Sequence, residues 1–334
     1  MISRTNFDTR IKLLSQSMKG FIMDNLIFSL NVVLPLVILM FLGAFLRKIN
    51  IFDENFLNKA NKLIFKVLFP VLLFNNIYAS KVSEEINLRF IIFVVIIAVA
   101  IVGILILIIP KYEKDNRNRG VIIQGLYRGN TTLFATVLIS NIFGNEGLAV
   151  VTTLIAIIVP IYIFLTVIIL DLFTDERQNY KKTMISILTN PLIIGSLLGI
   201  LASVLQIKLP SALDKTIADI TKTTTPIALM TLGGEIELSN IWKNIKYLVF
   251  VAAGKLFIIP AIATLIAIFF GYRGVELGAL LSMTAPPTAV TSYAFAQQRD
   301  CNHELAGQIV FFTTLISPFS IFLFIFVFKT LGLF

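Results

Sequence analysis

The sequence contains few of the side chains that most enzymes and metal sites require. Its 334 residues include one cysteine, Cys301, and one histidine, His303. A single cysteine cannot form an internal disulfide, and these two residues cannot build a Cys/His metal cage. No paired catalytic carboxylates and no Ser/His arrangement appear in the sequence. We therefore predict that the protein is not an enzyme and that it holds no metal and no cofactor.

Charged residues are scarce as well. They make up 14% of the chain, whereas hydrophobic residues make up 57% and the mean hydropathy is +0.89. Soluble domains carry about a quarter charged residues, and a soluble globule of this size could not bury so much apolar surface. A lipid bilayer is therefore the expected surrounding. The net charge of +9 then reflects Lys and Arg in cytoplasmic loops, and nucleic acid is not predicted as a partner.

Long apolar segments predict the fold class. A helix needs about 20 apolar residues to cross the hydrocarbon core, and residues 90–109 contain no charged or polar side chain. We predict an all-α, polytopic membrane protein, because the segments are too long and too continuously apolar for barrel strands. Ten transmembrane spans are predicted, over residues 26–46, 58–79, 89–110, 120–142, 147–171, 184–206, 213–233, 245–270, 274–297 and 304–329.

Landmarks of the first half recur in the second half at a nearly fixed offset of 154 to 158 residues. The pairs are Pro35 with Pro191, Gly43 with Gly199, Pro70 with Pro226, Arg119 with Arg273, Glu146 with Glu304, and Pro160 with Pro318. Each half contains five spans, an odd number, so the second half must enter the membrane from the opposite side. This pattern predicts two inverted five-helix repeats, an arrangement that is typical of secondary transporters.

The repeat divides the chain into predicted units. They are an N-terminal tail over 1–24, a first repeat over 25–172, a cytoplasmic linker over 173–183 and a second repeat over 184–334. Whether residues 1–22 belong to the native chain stays open. Loops after odd-numbered spans carry thirteen Lys and Arg; the opposite face carries six, or ten with the tail. We therefore expect a multi-pass protein of the cell membrane with both termini outside the cytoplasm.

Two polar or proline-rich stretches interrupt equivalent spans of the two repeats. Span nine contains Thr284, Pro286, Pro287 and Thr288, and adjacent prolines remove two backbone donors in mid-span. Span four contains Gly129, Asn130, Thr131 and Thr132, whose polar groups are unfavourable at membrane depth unless they are paired or face a cavity. We predict that both helices break there and that the two breaks fall on one pseudo-symmetric site in the middle of the membrane. A simple packed kink and interhelical hydrogen bonds between small polar residues are the alternatives.

Lys255 lies near the middle of span eight, and an intramembrane lysine is a functional candidate by default. It could attract an anionic substrate, replace a coupling cation, or bind a free carbonyl beside the break in span nine. Arg128 is expected to face away from Asn130 by one helical step. The predicted substrate-binding residues are Asn130, Thr131, Thr132, Lys255, Thr284, Pro286, Pro287 and Thr288.

Several stretches resemble the auxin efflux carrier family of membrane transport proteins, which includes bacterial malate and malonate permeases. They include 66–70 (KVLFP), 128–131 (RGNT), 143–149 (FGNEGLA), 225–229 (TPIAL) and 285–286 leading to 296–298 (AQQ). The resemblance covers residues 26–334. It implies ten spans, outward termini, crossed spans four and nine, alternating access and organic acid anions as substrates. One departure is that 135–137 read Ala-Thr-Val where the family usually has Gly-x-Pro, so the first break is expected to depend on Gly129 and nearby hydroxyls.

The leading hypothesis is a secondary active or facilitated carrier for small organic carboxylates such as malate or malonate. The absence of an aspartate pair from spans four and nine favours an organic anion over cation exchange. A cation-coupled antiporter or a bile-acid-type symporter of similar architecture is the alternative, and a non-transporting sensor is a further one. The sequence leaves open the coupling ion (H⁺ or Na⁺), the direction of transport and assembly as a homodimer.

Overall fold

The computed structural model describes residue 27 and residues 30–31, 34–79, 87–173, 188–235, 241–299 and 301–334. The predicted N-terminal tail over 1–24 lies outside the described residues, as does the linker from residue 174 onward. The predicted division into repeats therefore stays a prediction.

Helices account for nearly all of the described chain. They are α1 (34–48), α2 (Glu54–Tyr78), α3 (Leu88–Tyr112), α4 (Asn116–Tyr127), α5 (Thr131–Leu172), α6 (Pro191–Val204), α7 (Ser211–Glu235), α8 (Ile241–Phe269), α9 (Gly274–Thr284), α10 (Thr291–Gln297) and α11 (His303–Thr330). In this part of the chain the only β-type pairing is one isolated bridge. The all-helical part of the prediction is confirmed.

Five of the described helical segments are long and apolar enough to cross a membrane. They are Glu54–Tyr78, Leu88–Tyr112, Ile142–Leu172, Ile241–Phe269 and His303–Thr330. Large apolar side chains point away from the protein along α3, α6 and α8, for example Leu107, Leu201 and Leu265. Contiguous apolar surface of this kind is stable only against lipid or a partner. The protein is a multi-pass membrane protein, as predicted, while the count of ten spans stays a prediction.

Asparagine and aspartate side chains mark the beginnings of several helices. The Asp53 carboxylate accepts from the Phe56 backbone N–H at 2.6 Å, and the Asn190 amide oxygen accepts from Leu192 N–H at 2.9 Å. Asn302 caps α11 in the same way. Each cap satisfies a backbone donor that the first helical turn leaves without a partner.

Proline changes the geometry of α2 and α8 without ending them. Each contains one π-helical turn, Ile64–Leu68 in α2 and Gly254–Ile258 in α8, and each turn is followed within two residues by a proline, Pro70 or Pro260. A proline has no N–H and its ring clashes with the carbonyl four residues earlier. Widening the preceding turn relieves that clash. In α8 the widened turn carries Lys255.

The helices form two groups that face each other. The flanking bundle consists of α1, α2, α6 and α7, in which α2 packs closely on α6 and α7. The crossing bundle consists of α3, α4, α5, α8, α9, α10 and α11, in which α5 packs on α9, and α11 packs on α8 and α10. Within α5 the chain bends at Gly144, which has φ 62° and ψ −142°. Glycine adopts this conformation without the strain that other residues incur.

Glycines allow the closest helix contacts in the flanking bundle. A Cβ atom at Gly43 of α1 would lie 1.9 Å from the Met230 carbonyl oxygen of α7. A Cβ atom at Gly199 of α6 would lie 2.8 Å from the Phe74 carbonyl oxygen of α2. Backbones therefore touch at these crossings, as is common where helices associate within lipid.

We expect Gly43→Ala to destabilise the protein, because its methyl group would collide with the rigid backbone of α7. Overpacking of this kind costs about 1–3 kcal/mol, and the melting temperature in detergent should fall accordingly. Gly103→Ala is the matched control, since a Cβ atom there meets nothing within 4 Å. Equal melting temperatures for the two variants would contradict the close packing of α1 on α7.

Candidate functional site

Two helices are interrupted in the middle of the crossing bundle. Helix α4 ends at Tyr127 and α5 begins at Thr131, with Arg128 in an extended conformation between them (φ −86°, ψ 105°). Helix α9 ends at Thr284 and α10 begins at Thr291. Both interruptions fall on the stretches that the sequence singles out. The first occurs although residues 135–137 lack the Gly-x-Pro of the family.

The two interruptions satisfy each other's backbone groups. Asn130 N–H donates to the Pro287 carbonyl at 2.8 Å, and Ala289 N–H donates to the Arg128 carbonyl at 3.1 Å. Gly129 and Thr288 lie opposite each other in this short antiparallel bridge. A buried backbone group without a partner is strongly unfavourable in lipid. Each break is therefore stable because the other one is beside it.

Thr288 stabilises the crossing through hydrogen bonds to α4 and to α11. Its hydroxyl donates to the Gly125 carbonyl at 2.8 Å, and its backbone N–H donates to the Thr313 hydroxyl at 3.2 Å. The Thr284 hydroxyl bonds back to the Leu280 carbonyl of its own helix at 2.9 Å. Both threonines thus use their hydroxyls within the protein.

Lys255 joins the ends of the two interrupted helices. Its side chain is fully buried, and Nζ donates to the Thr284 carbonyl at 3.0 Å and to the Tyr127 carbonyl at 3.4 Å. These carbonyls belong to the last residues of α9 and α4. A Cβ atom at Gly129 would lie 3.1 Å from Nζ and 3.4 Å from the Pro286 carbonyl oxygen, so the close approach favours glycine there. Of the roles that the sequence leaves open, the structure displays carbonyl binding.

A cavity of about 380 Å³ lies beside the crossing, between the two bundles. Its walls from the crossing bundle include residues 128–132, and its walls from the flanking bundle belong to α1, α2 and α7. The polar side chains that line it are Asn76, Arg128, Asn130, Thr131, Thr132, Tyr162, Thr221, Lys222, Thr225 and Thr291. No carboxylate is among the described residues that line it.

The structure separates the predicted site residues into two sets. Asn130, Thr131 and Thr132 line the cavity. Lys255, Thr284, Pro286, Pro287 and Thr288 do not line it and instead build the crossing behind it. Ala289 and Thr291 line the cavity in their place. A direct contact between the second set and a substrate stays a prediction.

Arg128 lies in the cavity wall, contrary to the expectation that it faces away from the site. Its side chain is 4% exposed; Nη2 donates to the Thr291 hydroxyl at 2.6 Å, and the guanidinium lies 4.5 Å from the centre of the Phe295 ring. The other terminal nitrogen, Nη1, is buried without a hydrogen-bond partner. The expectation was wrong because it assumed a continuous helix through residue 128. The sequence did contain a signal that Arg128 could face the site, since this arginine precedes Gly129, where the helix is expected to break.

A second cavity, of about 470 Å³, lies between the same two bundles. Arg47, Glu235 and Gln297 are among its lining residues, and the Asn61 amide donates to Glu235 Oε1 at 2.5 Å. Phe65 of α2 and Phe295 of α10 form an edge-to-face pair with ring centres 5.9 Å apart. Along α2, Phe65 falls between the residues that line the second cavity and those that line the first.

We expect the first cavity to admit water and small charged reagents. Thr132→Cys in a Cys301→Ser background should react with a membrane-impermeant methanethiosulfonate, because Thr132 lines the cavity. Thr264→Cys in the same background is the control, since Thr264 is fully buried in α8. Reaction of both cysteines at equal rates, or of neither, would contradict an accessible cavity at Thr132.

Lipid-facing helices, two interrupted helices that cross, and a polar cavity at the crossing together define a multi-pass membrane protein of the transporter class. The chain belongs to the membrane transport protein family, which is the auxin efflux carrier family; the family model matches residues 28–325. The predicted resemblance is thereby confirmed.

Two curated relatives carry the same kind of description. An uncharacterized transporter of Methanocaldococcus jannaschii is 23% identical over 301 residues, which cover 86% of this chain and 95% of the relative. An uncharacterized transporter of Methanothermobacter thermautotrophicus is 20% identical over 296 residues, which cover 88% of this chain and 96% of the relative. Membrane transport is what these proteins share with the family, and it agrees with the prediction that the chain is not an enzyme.

Proposed function

We propose that this protein carries small organic acid anions, carboxylates of the size of malate or malonate, across the cell membrane by alternating access. The observation that carries the proposal is the buried Arg128 guanidinium in the cavity wall, with Nη1 left without a partner. A buried charged donor without an acceptor is unfavourable. A bound carboxylate would supply the acceptor and the compensating charge, because the planar guanidinium matches carboxylate geometry.

The Arg128 side chain is held ready for such a ligand. The Thr291 hydroxyl fixes one nitrogen, and the Phe295 ring lies against the guanidinium, which limits the entropy lost on binding. Asn76 Nδ2 and Thr221 Oγ1 are also buried without partners in the opposite wall. Polar groups from both bundles could therefore bind one anion. The cavity, at about 380 Å³, suits a small molecule.

Helix ends add to the preference for an anion. Thr131, the first residue of α5, lines the cavity, and a helix N-terminus carries partial positive charge. The C-terminal ends of α4 and α9, which carry partial negative charge, are instead bound by Lys255. At the crossing, the positive N-terminal end of α5 therefore lies at the cavity, whereas the negative C-terminal ends of α4 and α9 lie at Lys255.

Alternating access is supported by the two cavities between the bundles. A rocking of the flanking bundle against the crossing bundle would open one cavity as it closes the other, with Phe65 and Phe295 as the barrier. In this proposal both termini lie outside the cytoplasm, as the distribution of Lys and Arg among the loops indicates.

Contacts between repeat-related residues support the ten-span inverted repeat. The contact of Gly43 with Met230 is equivalent to that of Gly199 with Phe74, because the 156-residue offset relates Gly43 to Gly199 and Phe74 to Met230. Thr224 and Leu68 are themselves related by this offset, and the Thr224 hydroxyl lies 3.4 Å from the Leu68 carbonyl oxygen. Equivalent residues touch each other only close to a two-fold axis. A cation-coupled carrier is less favoured, since Lys255 occupies the crossing.

Liposomes reconstituted with the protein should take up labelled malonate or malate, and Arg128→Gln should reduce the affinity at least about tenfold, because a charged hydrogen bond is lost. Arg128→Lys should retain part of the uptake. Arg119→Gln is the control, since Arg119 lies on α4, the helix that precedes Arg128, but donates to the Glu113 and Pro110 carbonyls away from the cavity. Full uptake by Arg128→Gln, or no uptake of any organic acid by the wild type, would refute the proposal.

Asn130→Ala and Pro286→Ala test the crossing in the same assay. The first should weaken binding by about fivefold to tenfold, because an amide that lines the cavity is removed. The second restores a backbone donor just beyond the end of α9 and should slow transport without an equal loss of binding. Pro110→Ala, at the end of α3, is the control for a proline in a helix. Unchanged uptake by both variants would show that the substrate site does not lie at the crossing.

A further inference from the structure

The Lys255 ammonium does not line the cavity of the proposed anion site. Its two hydrogen-bond partners are carbonyl oxygens, and they belong to the last residues of two different helices. No carboxylate of the described residues lies within ion-pair distance of Lys255. Within the described part of the chain, this fully buried ammonium is therefore balanced by backbone dipoles.

The charges at the crossing match one monovalent cation. Each helix C-terminus carries roughly half an elementary negative charge, so the ends of α4 and α9 together present about one. In transporters with interrupted helices, such C-terminal ends and unwound carbonyls are where a coupling cation binds. In this protein the Lys255 ammonium, a cation that is covalently attached to the chain, occupies that position.

Local structure brings the ammonium to this position. The π-helical turn Gly254–Ile258 contains Lys255, and a Cβ atom at Gly254 would lie 2.4 Å from a side-chain carbon of Leu126 in α4. Glycine at residue 129 leaves room for Nζ at the crossing. A lysine in lipid normally extends toward the membrane surface. This one extends to the centre of the protein, between two helix ends.

We propose that Lys255 occupies the cation position of the helix crossing, so that its ammonium replaces a coupling Na⁺ and Lys255→Ala exposes a latent site for a small monovalent cation. The ligands of that site would be the carbonyl oxygens of Tyr127 and Thr284. A role of Na⁺ as the coupling ion rests on the proposed transport function, whereas the cation site itself does not.

The test measures binding and needs no substrate. Purified wild type and Lys255→Ala are melted in detergent with chloride salts of Na⁺, ethylammonium or choline at one ionic strength. We expect the wild type to melt at the same temperature in all three. Lys255→Ala should melt lower in choline, and Na⁺ or ethylammonium should raise its melting temperature saturably, by about 2–5 °C. Choline is too large to enter.

Two control variants separate a cation site from a general salt effect. Lys66→Ala removes an exposed lysine that lies in the π-helical turn of α2 and does not line the cavity, and it should respond to no cation. Lys255→Met keeps the volume of the side chain and should be destabilised without rescue. A response of Lys255→Ala no larger than that of these controls overturns the proposal.

The wild type provides a measurement that does not depend on the folding of any variant. Its melting temperature, and uptake in liposomes where uptake is detected, should not change when Na⁺ is replaced by choline. A saturable effect of Na⁺ on the wild type overturns the proposal. Failure of anion uptake alone would refute the transport proposal and leave the thermal result for Lys255→Ala intact.

Discussion

The structure depends on one constraint: backbone groups freed in the middle of a helix must find partners where water is scarce. The breaks at 128–130 and 285–290 meet this constraint together, because each supplies the donor that the other lacks. Either break alone would leave buried carbonyls and N–H groups without partners. The sequence features around the crossing follow from this pairing. Gly129 permits the approach, the prolines prevent α9 from continuing, and Thr288 and Lys255 bind carbonyls that remain.

The same pairing arranges charge around the site. Arg128 and the first residue of α5 lie at the cavity, while the ends of α4 and α9 point to Lys255. An interrupted helix has both a positive and a negative end at its break, so the two kinds of end must be bound differently. The proposed anion site and the proposed cation position are therefore two consequences of one geometry.

The bundles link this geometry to transport. Contacts within the flanking bundle are close and rely on glycines against backbone, as at Gly43 and Gly199. The boundary between the bundles instead contains several cavities and two aromatic pairs, Phe41–Phe311 and Phe65–Phe295. A boundary that is packed less completely than the bundles it separates is suited to rigid-body motion. The membrane transport protein family to which the chain belongs provides the context in which such motion has a function.

The sequence by itself determined the all-helical membrane class, the family and the positions of both breaks, because hydropathy, adjacent prolines and polar residues in apolar spans act locally along the chain. It also identified Asn130, Thr131 and Thr132, which line the cavity. Only the tertiary structure decided which of two neighbouring charged groups faces the cavity. Arg128 turns into it because the backbone is extended there, and Lys255 turns to the carbonyls because two helix ends from distant parts of the chain meet beside it. The direction of a side chain at a helix break depends on the distant segment that pairs with the break. The periodic pattern of one segment contains no information about which segment that is.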